Sequence, residues 1–400
     1  MKNIAILCDG TWQDLGQPIP TNVAKLARTI EPRSADGAIQ VVYYDDGVGV
    51  GHGVLDAATH LIGGAFGQGL DYKIGRAYEF LCLNYEPGDR IFIFGFSRGA
   101  YTARSLAGLV RWAWILKREN VSEIGAATAL YRSRPPHGSV KARADAFEAQ
   151  AAQFRAGYCH PAEAFIDDMV YDPKDPGSLA PGPGCAWIQY VGVWDTVGAL
   201  GVPTNLPFAN LLDAQYAFHD ASLSRFVRSG RHAVAIDEKR HTFQPALWDN
   251  IAAQNTHAGA DGLTYDARPY QQCWFPGHHG SVGGGSDDGG LALIPMLWVA
   301  EGAMRAGLSL ACSELDEYAR IAHPDAKIAG GFSIGQLLTS LDGVADRIGP
   351  AAFEEVSLSA KLRWARLPAY RPAPLIHLAA VSQGLDAWRA PLDPQVYYRA

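Results

Sequence analysis

One short stretch of this 400-residue chain constrains its fold more than any other, the segment 89–100. β-Branched and aromatic residues in its first half predict a buried strand, which then breaks into Gly95-x-Ser97-x-Gly99. An amphipathic pattern after Gly99 predicts a helix. A serine between such a strand and such a helix stands on a strained turn, and glycine on either side of it avoids a collision. The segment therefore predicts that Ser97 is a nucleophile; the plain alternative is a structural turn.

The elements predicted before this segment agree with that interpretation. They are, in order, a strand over 3–8, a helix capped by Thr21 or Asn22 and ending near 30, a strand over 39–44 and a helix over 70–85. This order reproduces the middle of an α/β-hydrolase sheet. We therefore expect fold class α/β, with an α/β-hydrolase-like, mostly parallel sheet, helices on both of its faces and a lid or cap insertion.

The loop after the first strand is a candidate for binding the negative charge of a reaction intermediate. In an α/β-hydrolase this loop supplies a backbone N–H group to the oxyanion hole, and here it is the segment 9–12. We predict that the N–H groups of Gly10 or Thr11, together with that of Arg98, form the hole. The alternatives are a plain turn, or a phosphatase with an aspartyl nucleophile, which would need an acid at the position of Leu7.

A candidate catalytic acid follows the next predicted strand, which covers residues 186–194. Asp195 stands at the carboxyl end of this strand, where a triad carboxylate would hold the histidine tautomer and stabilise the imidazolium. A capping or turn aspartate is the plain alternative. We predict a helical region over about 214–235 and, after it, Asp237 as the second candidate acid, although the mixed charges of 237–240 favour an ion-pair cluster.

A candidate base follows the last predicted strand of the sheet, residues 271–275. His278 and His279 lie there in a glycine-flanked loop, and the chain order of serine, aspartate and histidine is that of α/β-hydrolases. Position alone does not separate the two histidines. With Asp287 and Asp288 nearby they could also bind a metal ion, but the sequence has no i, i+4 histidine pair or cysteine cluster, so we predict no metal and no cofactor.

Composition argues against several other classes of protein. A net charge of −7, a pI near 5.9 and the absence of a basic run argue against binding to nucleic acid. The 6 cysteines have no regular spacing, which favours buried free thiols in a reducing compartment. The sequence has no apolar stretch of about 18 residues and no signal peptide, so we expect a cytoplasmic protein, with export by a signal-independent route as the open alternative.

We divide the chain into a core and two additions. The α/β-hydrolase core covers 1–116 and 186–311 and ends in an amphipathic helix over 291–311. Residues 117–185 form a lid or cap insertion, and residues 312–400 form a helical extension packed on the core.

The insertion and a glycine-rich segment, 48–69, are expected to form the mouth for an acyl chain. Five apolar side chains of that segment could meet a membrane surface: Val54, Leu55, Leu61, Ile62 and Phe66. The alternative is that these side chains pack inward.

Five motifs occur in an order that resembles a known family. They are Cys8-Asp9-Gly10-Thr11-Trp12, Tyr43-Tyr44-Asp45-Asp46-Gly47-Val48-Gly49, Gly95-Phe96-Ser97-Arg98-Gly99-Ala100-Tyr101-Thr102-Ala103-Arg104, Val191-Gly192-Val193-Trp194-Asp195-Thr196-Val197-Gly198 and Trp274-Phe275-Pro276-Gly277-x-His279. Together they resemble the uncharacterised α/β-hydrolase family that includes the catalytic domain of type VI secretion lipase effectors. The resemblance covers about residues 3–300.

The resemblance implies a serine hydrolase of ester bonds, with phospholipase activity in the best-known members. It places the nucleophile at Ser97 and favours His279 over His278 as the base. It is less decisive about the acid, for which Asp195 remains our choice. The family usually has an acidic residue two positions after the histidine, where this chain has Ser281, so a slower or specialised enzyme is one expectation.

We therefore predict a serine hydrolase that cleaves the ester bonds of lipids, in the manner of a phospholipase or lipase, through a triad of Ser97, His279 and Asp195. Two alternatives remain open: a soluble carboxylesterase for small esters, and a weakly catalytic binding or effector-partner module that kept the fold. The expected partners are a lipid or ester substrate, a membrane surface contacted peripherally and, if the protein is exported, a secretion-system or immunity protein. No nucleic acid is expected.

Overall fold

The fold is known from a computed structural model, which describes most of the chain. The described residues are 1–10, 13, 15–47, 65–135, 140–161, 188–198, 222–286, 290–328, 345–382 and 384–389, with 65–68 and 242 described by their backbone alone.

A parallel β-sheet forms the centre of the described part of the molecule. Its strands are β1 (Lys2–Cys8), β2 (Ile39–Asp45), β3 (Arg90–Phe96), β4 (Ile188–Trp194), β5 (Gly230–Ala235) and β6 (Tyr270–Phe275). Their order across the sheet is β2-β1-β3-β4-β5-β6, and every neighbouring pair is parallel. The carboxyl ends of all these strands therefore lie at one edge of the sheet, which is where ligands bind in open α/β folds.

Helices connect the strands and cover both faces of the sheet. Those in the described residues are α1 (Asn22–Thr29), α2 (Ala65–Asn84), α3 (Arg98–Ala113), α4 (Ile124–Ser133), α5 (Lys141–Tyr158), α6 (Ile251–His257), α7 (His279–Gly283), α8 (Leu293–Arg305), α9 (Cys312–Ile321), α10 (Leu358–Arg366), α11 (Ala373–Val381) and α12 (Gly384–Ala387). The expected cap of the first helix is confirmed, because Thr21 Oγ1 accepts the Ala24 N–H at 3.0 Å.

All the strands except the edge strand β2 are buried on both faces, and the side chains of β1 show how, because they alternate between two apolar clusters. On β1, Ile4 and Ile6 join the cluster that contains side chains of α2 and α3. Ala5 and Leu7 join the cluster on the opposite face, with side chains of α1 and α8. This burial explains why β1 and β3 are nearly continuous apolar runs rather than alternating ones.

The C-terminal helices pack against the outer end of the sheet. A third apolar cluster joins Trp274 of β6 to Ala360, Trp364 and Leu375 of α10 and α11. The Ser357 N–H also donates to the Trp274 carbonyl at 2.9 Å, which pairs the outer edge of β6 with the C-terminal segment. Residues beyond 345 therefore contact the strand that leads to the predicted base.

The structure confirms the predicted fold class, a mostly parallel sheet with helices on both faces. One predicted element is wrong: the helical region expected over 214–235 contains the strand β5, and the described residues before it, 222–229, form no helix. A short apolar run such as Ala233-Val234-Ala235 has no period that separates a buried strand from a helix. The helix expected over 291–311 is shorter, since it ends before Gly307, whose φ of +99° continues no helix.

The predicted lid and acyl-chain mouth are only partly described. Within 117–185, the helices α4 and α5 pack on the core through Leu130 and Phe147, and residues 162–187 lie outside the described residues. Residues 48–64 and the side chain of Phe66 also lie outside them, so the five proposed membrane-contact side chains stay a prediction. The division into core, insertion and extension likewise stays a prediction. In the described part of the chain, no helix combines the length and the apolar character needed to cross a bilayer.

The crossing of β1 and α3 predicts a large effect of a single methyl group. A β-carbon at Gly99 would lie 2.1 Å from the Cys8 carbonyl oxygen and 2.4 Å from the Asp9 carbonyl oxygen, so the backbone at the end of β1 leaves it no room. We expect Gly99→Ala to lower the free energy of unfolding by about 3 kcal/mol. Urea unfolding followed by circular dichroism measures this change.

Gly75→Ala is the matched control, because Gly75 lies inside α2 and a β-carbon there meets nothing within 4 Å. It should raise the free energy of unfolding by about 0.5–1 kcal/mol, the usual difference between glycine and alanine in a helix. Equal stability of the two variants would contradict the close crossing.

Candidate active site

Ser97 stands between β3 and α3 in a backbone conformation that few non-glycine residues adopt. Its φ is 57° and its ψ is −123°, and its side chain is buried. A β-carbon at Gly95 would lie 2.4 Å from the Gly99 carbonyl oxygen, so glycine on both sides permits the sharp turn. The strain is held by the sheet, since the Ser97 N–H donates to the Trp194 carbonyl at 3.1 Å. The predicted strained turn is therefore present.

His279 lies within hydrogen-bond distance of both other predicted triad residues. Its Nε2 is 2.8 Å from Ser97 Oγ, and its Nδ1 is 2.5 Å from Asp195 Oδ2. The imidazole ring contacts two aromatic rings, with centroid distances of 4.6 Å to Phe96 and 4.8 Å to Phe243. Strands β3, β4 and β6 thus bring the three side chains together at the carboxyl edge of the sheet.

Asp195 is a fully buried carboxylate at the end of β4. Besides the His279 ring, Oδ1 accepts the Ala235 N–H at 2.9 Å, and both oxygens accept from the Arg347 guanidinium, at 2.6 and 2.9 Å. Burial alone raises the pKa of the Asp195 carboxyl, but Arg347 and the His279 hydrogen bond outweigh burial and hold the pKa well below its usual range. Asp195 is therefore an anion at neutral pH.

The His279 ring is neutral at rest. Burial lowers the pKa of its imidazole, and the hydrogen bond and charge of Asp195 oppose this effect only in part. A neutral ring whose Nδ1–H donates to Asp195 has Nε2 available to accept the Ser97 hydroxyl proton. The arrangement can therefore raise the nucleophilicity of Ser97.

Arg347 is a residue that sequence reasoning missed. It lies in the segment assigned to a C-terminal extension, 152 residues from Asp195 along the chain, and its side chain is fully buried. Local motifs carry no signal for a contact over such a distance. The pairing of β6 with the C-terminal segment and the bond from the Ala345 N–H to the Lys239 carbonyl place it at the site.

The second candidates for acid and base take other roles in the structure. Asp237 Oδ2 accepts the Gly277 N–H at 2.6 Å and the Tyr370 hydroxyl at 3.0 Å, so this carboxylate holds the loop before His279. His278 is the N-cap residue of α7, and its carbonyl accepts the Ser281 N–H at 2.9 Å. The structure therefore places His279, rather than His278, against Ser97.

A neighbouring carboxylate contacts the backbone of His279. Glu238 forms a two-point ion pair with Arg240, with oxygen–nitrogen distances of 2.8 Å, which confirms the ion-pair cluster expected over 237–240. Its Oε2 also accepts the His279 N–H at 3.1 Å. The chain thus has an acid next to the histidine although Ser281 stands two positions after it.

The predicted oxyanion loop lies against the serine turn. A β-carbon at Gly10 would be 3.0 Å from the Phe96 ring, directly before Ser97. The Gly10 N–H donates to Asp9 Oδ1 at 2.7 Å, so Gly10 can serve an oxyanion only if that bond is shared or broken. Arg98 is the first residue of α3, where backbone N–H groups point out of the helix. Thr11 lies outside the described residues, and the composition of the hole stays a prediction.

Asp9 ties this loop to its surroundings. Its Oδ2 accepts the Thr21 hydroxyl at 2.6 Å and also the Tyr44 hydroxyl. Burial raises the pKa of the Asp9 carboxyl, and the hydrogen bonds from Thr21, Tyr44 and the Gly10 N–H oppose that rise. Two of the five sequence motifs, those around Asp9 and Tyr44, therefore meet in one hydrogen-bond network.

The described residues contain no group of three or more histidine, cysteine, aspartate or glutamate side chains arranged to hold a metal ion. Asp287 and Asp288, the acids weighed as metal ligands, lie outside the described residues.

A second buried histidine supports the loop that carries Asp195. The Thr196 N–H donates to His232 Nε2 at 3.2 Å, so the proton is on Nδ1, which donates to Gln272 Oε1 at 3.0 Å. Burial lowers the pKa of His232 to about 3, with a further contribution from the charge of Arg104. His232 is therefore neutral in the folded protein down to strongly acidic pH.

A parallel sheet with a serine on a left-handed turn after its central strand, and an aspartate and a histidine after later strands, defines an α/β-hydrolase-like protein. The chain belongs to the Tle1-like family, because the family model described as "T6SS, Phospholipase effector Tle1-like, catalytic domain" matches residues 2–302. The resemblance found in the sequence motifs is thereby confirmed.

The individual relatives share 30% identity or less with this chain, and each is longer than the chain. The chain is 30% identical over 253 residues to the uncharacterized protein YEL023C of Saccharomyces cerevisiae, which covers 61% of this chain and 32% of the yeast protein. An uncharacterized protein from Pseudomonas aeruginosa, solved by crystallography, has a TM-score of 0.39 at 17% identity and covers 77% of this chain and 46% of its own. The Tle1 effector bound to the VgrG spike from the type VI secretion system has a TM-score of 0.37 at 18% identity, with 72% and 52% covered. The chain therefore spans about a third to a half of the length of these proteins.

The buried His232 predicts a loss of stability in acid. The unfolded chain binds a proton at this side chain below a pH of about 6.5, whereas the folded chain binds it only near the folded pKa of about 3. Between these pH values His232 should cost about 1.4 kcal/mol of unfolding free energy per pH unit of acidification. His232→Gln should flatten the dependence of unfolding free energy on pH, measured by urea unfolding at several pH values.

His377→Gln, the same substitution at an exposed position on α11, is the control for losing one imidazole. Equal pH slopes in the two variants would contradict a neutral, buried His232.

Proposed function

We propose that the chain is a serine hydrolase that cleaves ester bonds of lipids, in the manner of a phospholipase. One observation carries the proposal: the unbroken hydrogen-bond chain from Ser97 Oγ through His279 to the buried Asp195, with Ser97 on a strained turn. Each side chain has the protonation state that nucleophilic catalysis requires, since burial lowers the pKa of His279 and Arg347 helps keep Asp195 ionised.

The chemistry follows from these atoms. Ser97 Oγ attacks the acyl carbonyl carbon while His279 Nε2 takes its proton, and Asp195 stabilises the imidazolium that forms. Backbone N–H groups stabilise the oxyanion, with that of Arg98 as the candidate from the start of α3. The imidazolium then gives its proton to the leaving alcohol, which departs from the acyl-serine. Water, deprotonated by the same ring, releases the fatty acid and restores Ser97.

The lipid substrate is proposed from the family, whose catalytic domain is described as that of phospholipase effectors. A soluble ester remains the competing substrate, because the segments proposed to hold an acyl chain lie partly outside the described residues. Peripheral membrane contact belongs to the same proposal, as does a secretion-system or immunity partner if the protein is exported. The weakly catalytic module is less well supported, since the hydrogen-bond chain is complete and Glu238 supplies a carboxylate at His279.

Removing the nucleophile tests the proposal directly. Ser97→Ala should lower turnover by about four to six orders of magnitude, because the covalent route is lost. Hydrolysis is measured on a short-chain nitrophenyl ester, a long-chain nitrophenyl ester and mixed phospholipid vesicles. Preference for the vesicles supports a phospholipase, and activity confined to the short ester supports the carboxylesterase.

Ser105→Ala is the matched control, because Ser105 is also buried and lies on the same helix, α3. It should keep its activity and its melting temperature close to those of the wild type. Equal activity of Ser97→Ala and Ser105→Ala would contradict a serine mechanism. Inertness of the wild type towards all three substrates and towards a fluorophosphonate probe would favour the binding module.

Paired variants test the base and the acid. His279→Asn should abolish labelling of Ser97 by a fluorophosphonate, whereas His278→Asn should retain it, because only the His279 ring reaches Ser97 Oγ in the described site. Asp195→Asn should slow labelling by about 10⁴-fold, since the wrong histidine tautomer is then favoured. Asp237→Asn should have a much smaller effect. The opposite ranking in either pair would overturn the assignment.

A further inference from the structure

A buried arginine from beyond residue 302 contacts the proposed catalytic acid. The family model matches residues 2–302, and Arg347 lies 45 positions after that match ends. Resting on the proposed function, we propose that Arg347 is a positioning residue that holds Asp195 against His279, so that the C-terminal segment completes the active site.

The contact between Arg347 and Asp195 fixes the carboxylate in two directions. Nη1 donates to Oδ1 at 2.6 Å and Nη2 donates to Oδ2 at 2.9 Å, which is the parallel two-point geometry of a guanidinium and a carboxylate. The same two nitrogens donate to the Ala235 and Phe243 carbonyls at 2.8 and 2.6 Å. Four N–H groups thus define the position of the guanidinium, and the plane of the Asp195 carboxylate follows from it. Rotation of the carboxylate about its last bond would break both bonds.

The residues directly before and after Arg347 do not share its burial. Asp346 and Ile348, its neighbours, are exposed, whereas the Arg347 side chain is fully buried. Ala345 N–H donates to the Lys239 carbonyl at 2.8 Å on one side. On the other side, a β-carbon at Gly349 would lie 2.5 Å from the Trp274 ring, so the backbone passes directly over β6. The segment is anchored at both ends and inserts a guanidinium, rather than an apolar side chain, between them.

Arg347 also adds to the charges around His279, where the charge of Arg240 lowers the pKa of the imidazole and those of Asp195 and Glu238 raise it. Asp195 Oδ2 accepts both from His279 Nδ1 and from Arg347 Nη2, so the carboxylate is shared between the ring and a permanent cation. A cation next to the acid makes the imidazolium harder to form, because it offsets part of the attraction of the anion. The consequence is a histidine that stays neutral, and able to act as a base, at lower pH than in a pair without the arginine. A residue that only filled space would have no such effect.

A lysine could not replace both the charge of Arg347 and its two-point hydrogen bonding to Asp195. Its ammonium group keeps the charge, but it lacks the planar fork that bonds two carboxylate oxygens at once. A methionine keeps most of the stem and loses both charge and fork. Comparison of the two separates the electrostatic effect of Arg347 from its geometric one.

The experiment compares Arg347→Lys and Arg347→Met with the wild type. Arg363→Met is the control, because Arg363 is equally buried in the C-terminal extension and donates to the Pro324 and Ala326 carbonyls at 2.8 and 2.7 Å. Three quantities are measured: the melting temperature, kcat/KM for a short-chain nitrophenyl ester as a function of pH, and the titration of the His279 ring by nuclear magnetic resonance. The ring signals are assigned with His279→Asn.

Arg347→Met should lower kcat/KM by about 100-fold, since the acid is no longer held in place. The acid limb of its kcat/KM profile against pH and the titration of His279 should both move to higher pH by at least about one unit, because the cation is gone. Arg347→Lys should keep the limb near its wild-type pH and still lose activity through the missing fork. Arg363→Met should lower only the melting temperature.

The positioning role would be overturned if the titration of His279 did not move in Arg347→Met. It would also be overturned if Arg347→Met lost no more activity than Arg363→Met. Failure of Arg347→Lys to fold would assign Arg347 to stability alone and would also overturn it. The titration of His279 needs no turnover, so it reports on Arg347 even if the wild type hydrolyses no ester. In that case the proposed function fails while the effect of Arg347 on His279 is still decided.

Discussion

A negative charge with no access to water is the constraint on which the rest of the site depends. The Asp195 carboxylate is fully buried, and an isolated buried carboxylate would take up a proton rather than stay charged. Three partners keep it ionised: the Ala235 N–H from the neighbouring strand, the His279 ring and the Arg347 guanidinium. Each partner comes from a different part of the chain. The position of the acid therefore links β4, β5, the loop after β6 and the C-terminal segment.

The parallel sheet makes this linkage possible. Because every pair of neighbouring strands runs in the same direction, the residues after β3, β4 and β6 all lie at one edge. Ser97 and Asp195 both have positive φ values, 57° and 41°, at the points where their strands end. Such conformations cost free energy, and they persist where the surrounding structure leaves no alternative. Here the bond from the Ser97 N–H to Trp194 and that from the Asp195 N–H to Ala233 continue the sheet past its last residues.

Strand ends were enough to predict Ser97, Asp195 and the pair of histidines from the sequence, because their local patterns are strong. The choice between His278 and His279 needed either the family resemblance or the geometry, since the two are adjacent in one loop. Residues 230–235 were assigned to the wrong element because an apolar run of that length has no distinctive period. Arg347 had no local signal at all. Its proposed role depends on a contact with Asp195, 152 residues away along the chain, which only the complete fold determines.

The order of residues along the chain has a consequence for synthesis at the ribosome. Ser97, Asp195 and His279 leave the ribosome before Arg347, and 68 residues separate His279 from Arg347. At about 5–20 residues per second, roughly 3 to 14 s pass between the two. During that interval the nascent chain has a serine and a histidine but lacks Arg347, which we propose holds the acid in place. A hydrolase assembled in this order would gain its full reactivity only after Arg347 has left the ribosome, which shortens the time in which a partly folded chain could attack esters of the cell that makes it.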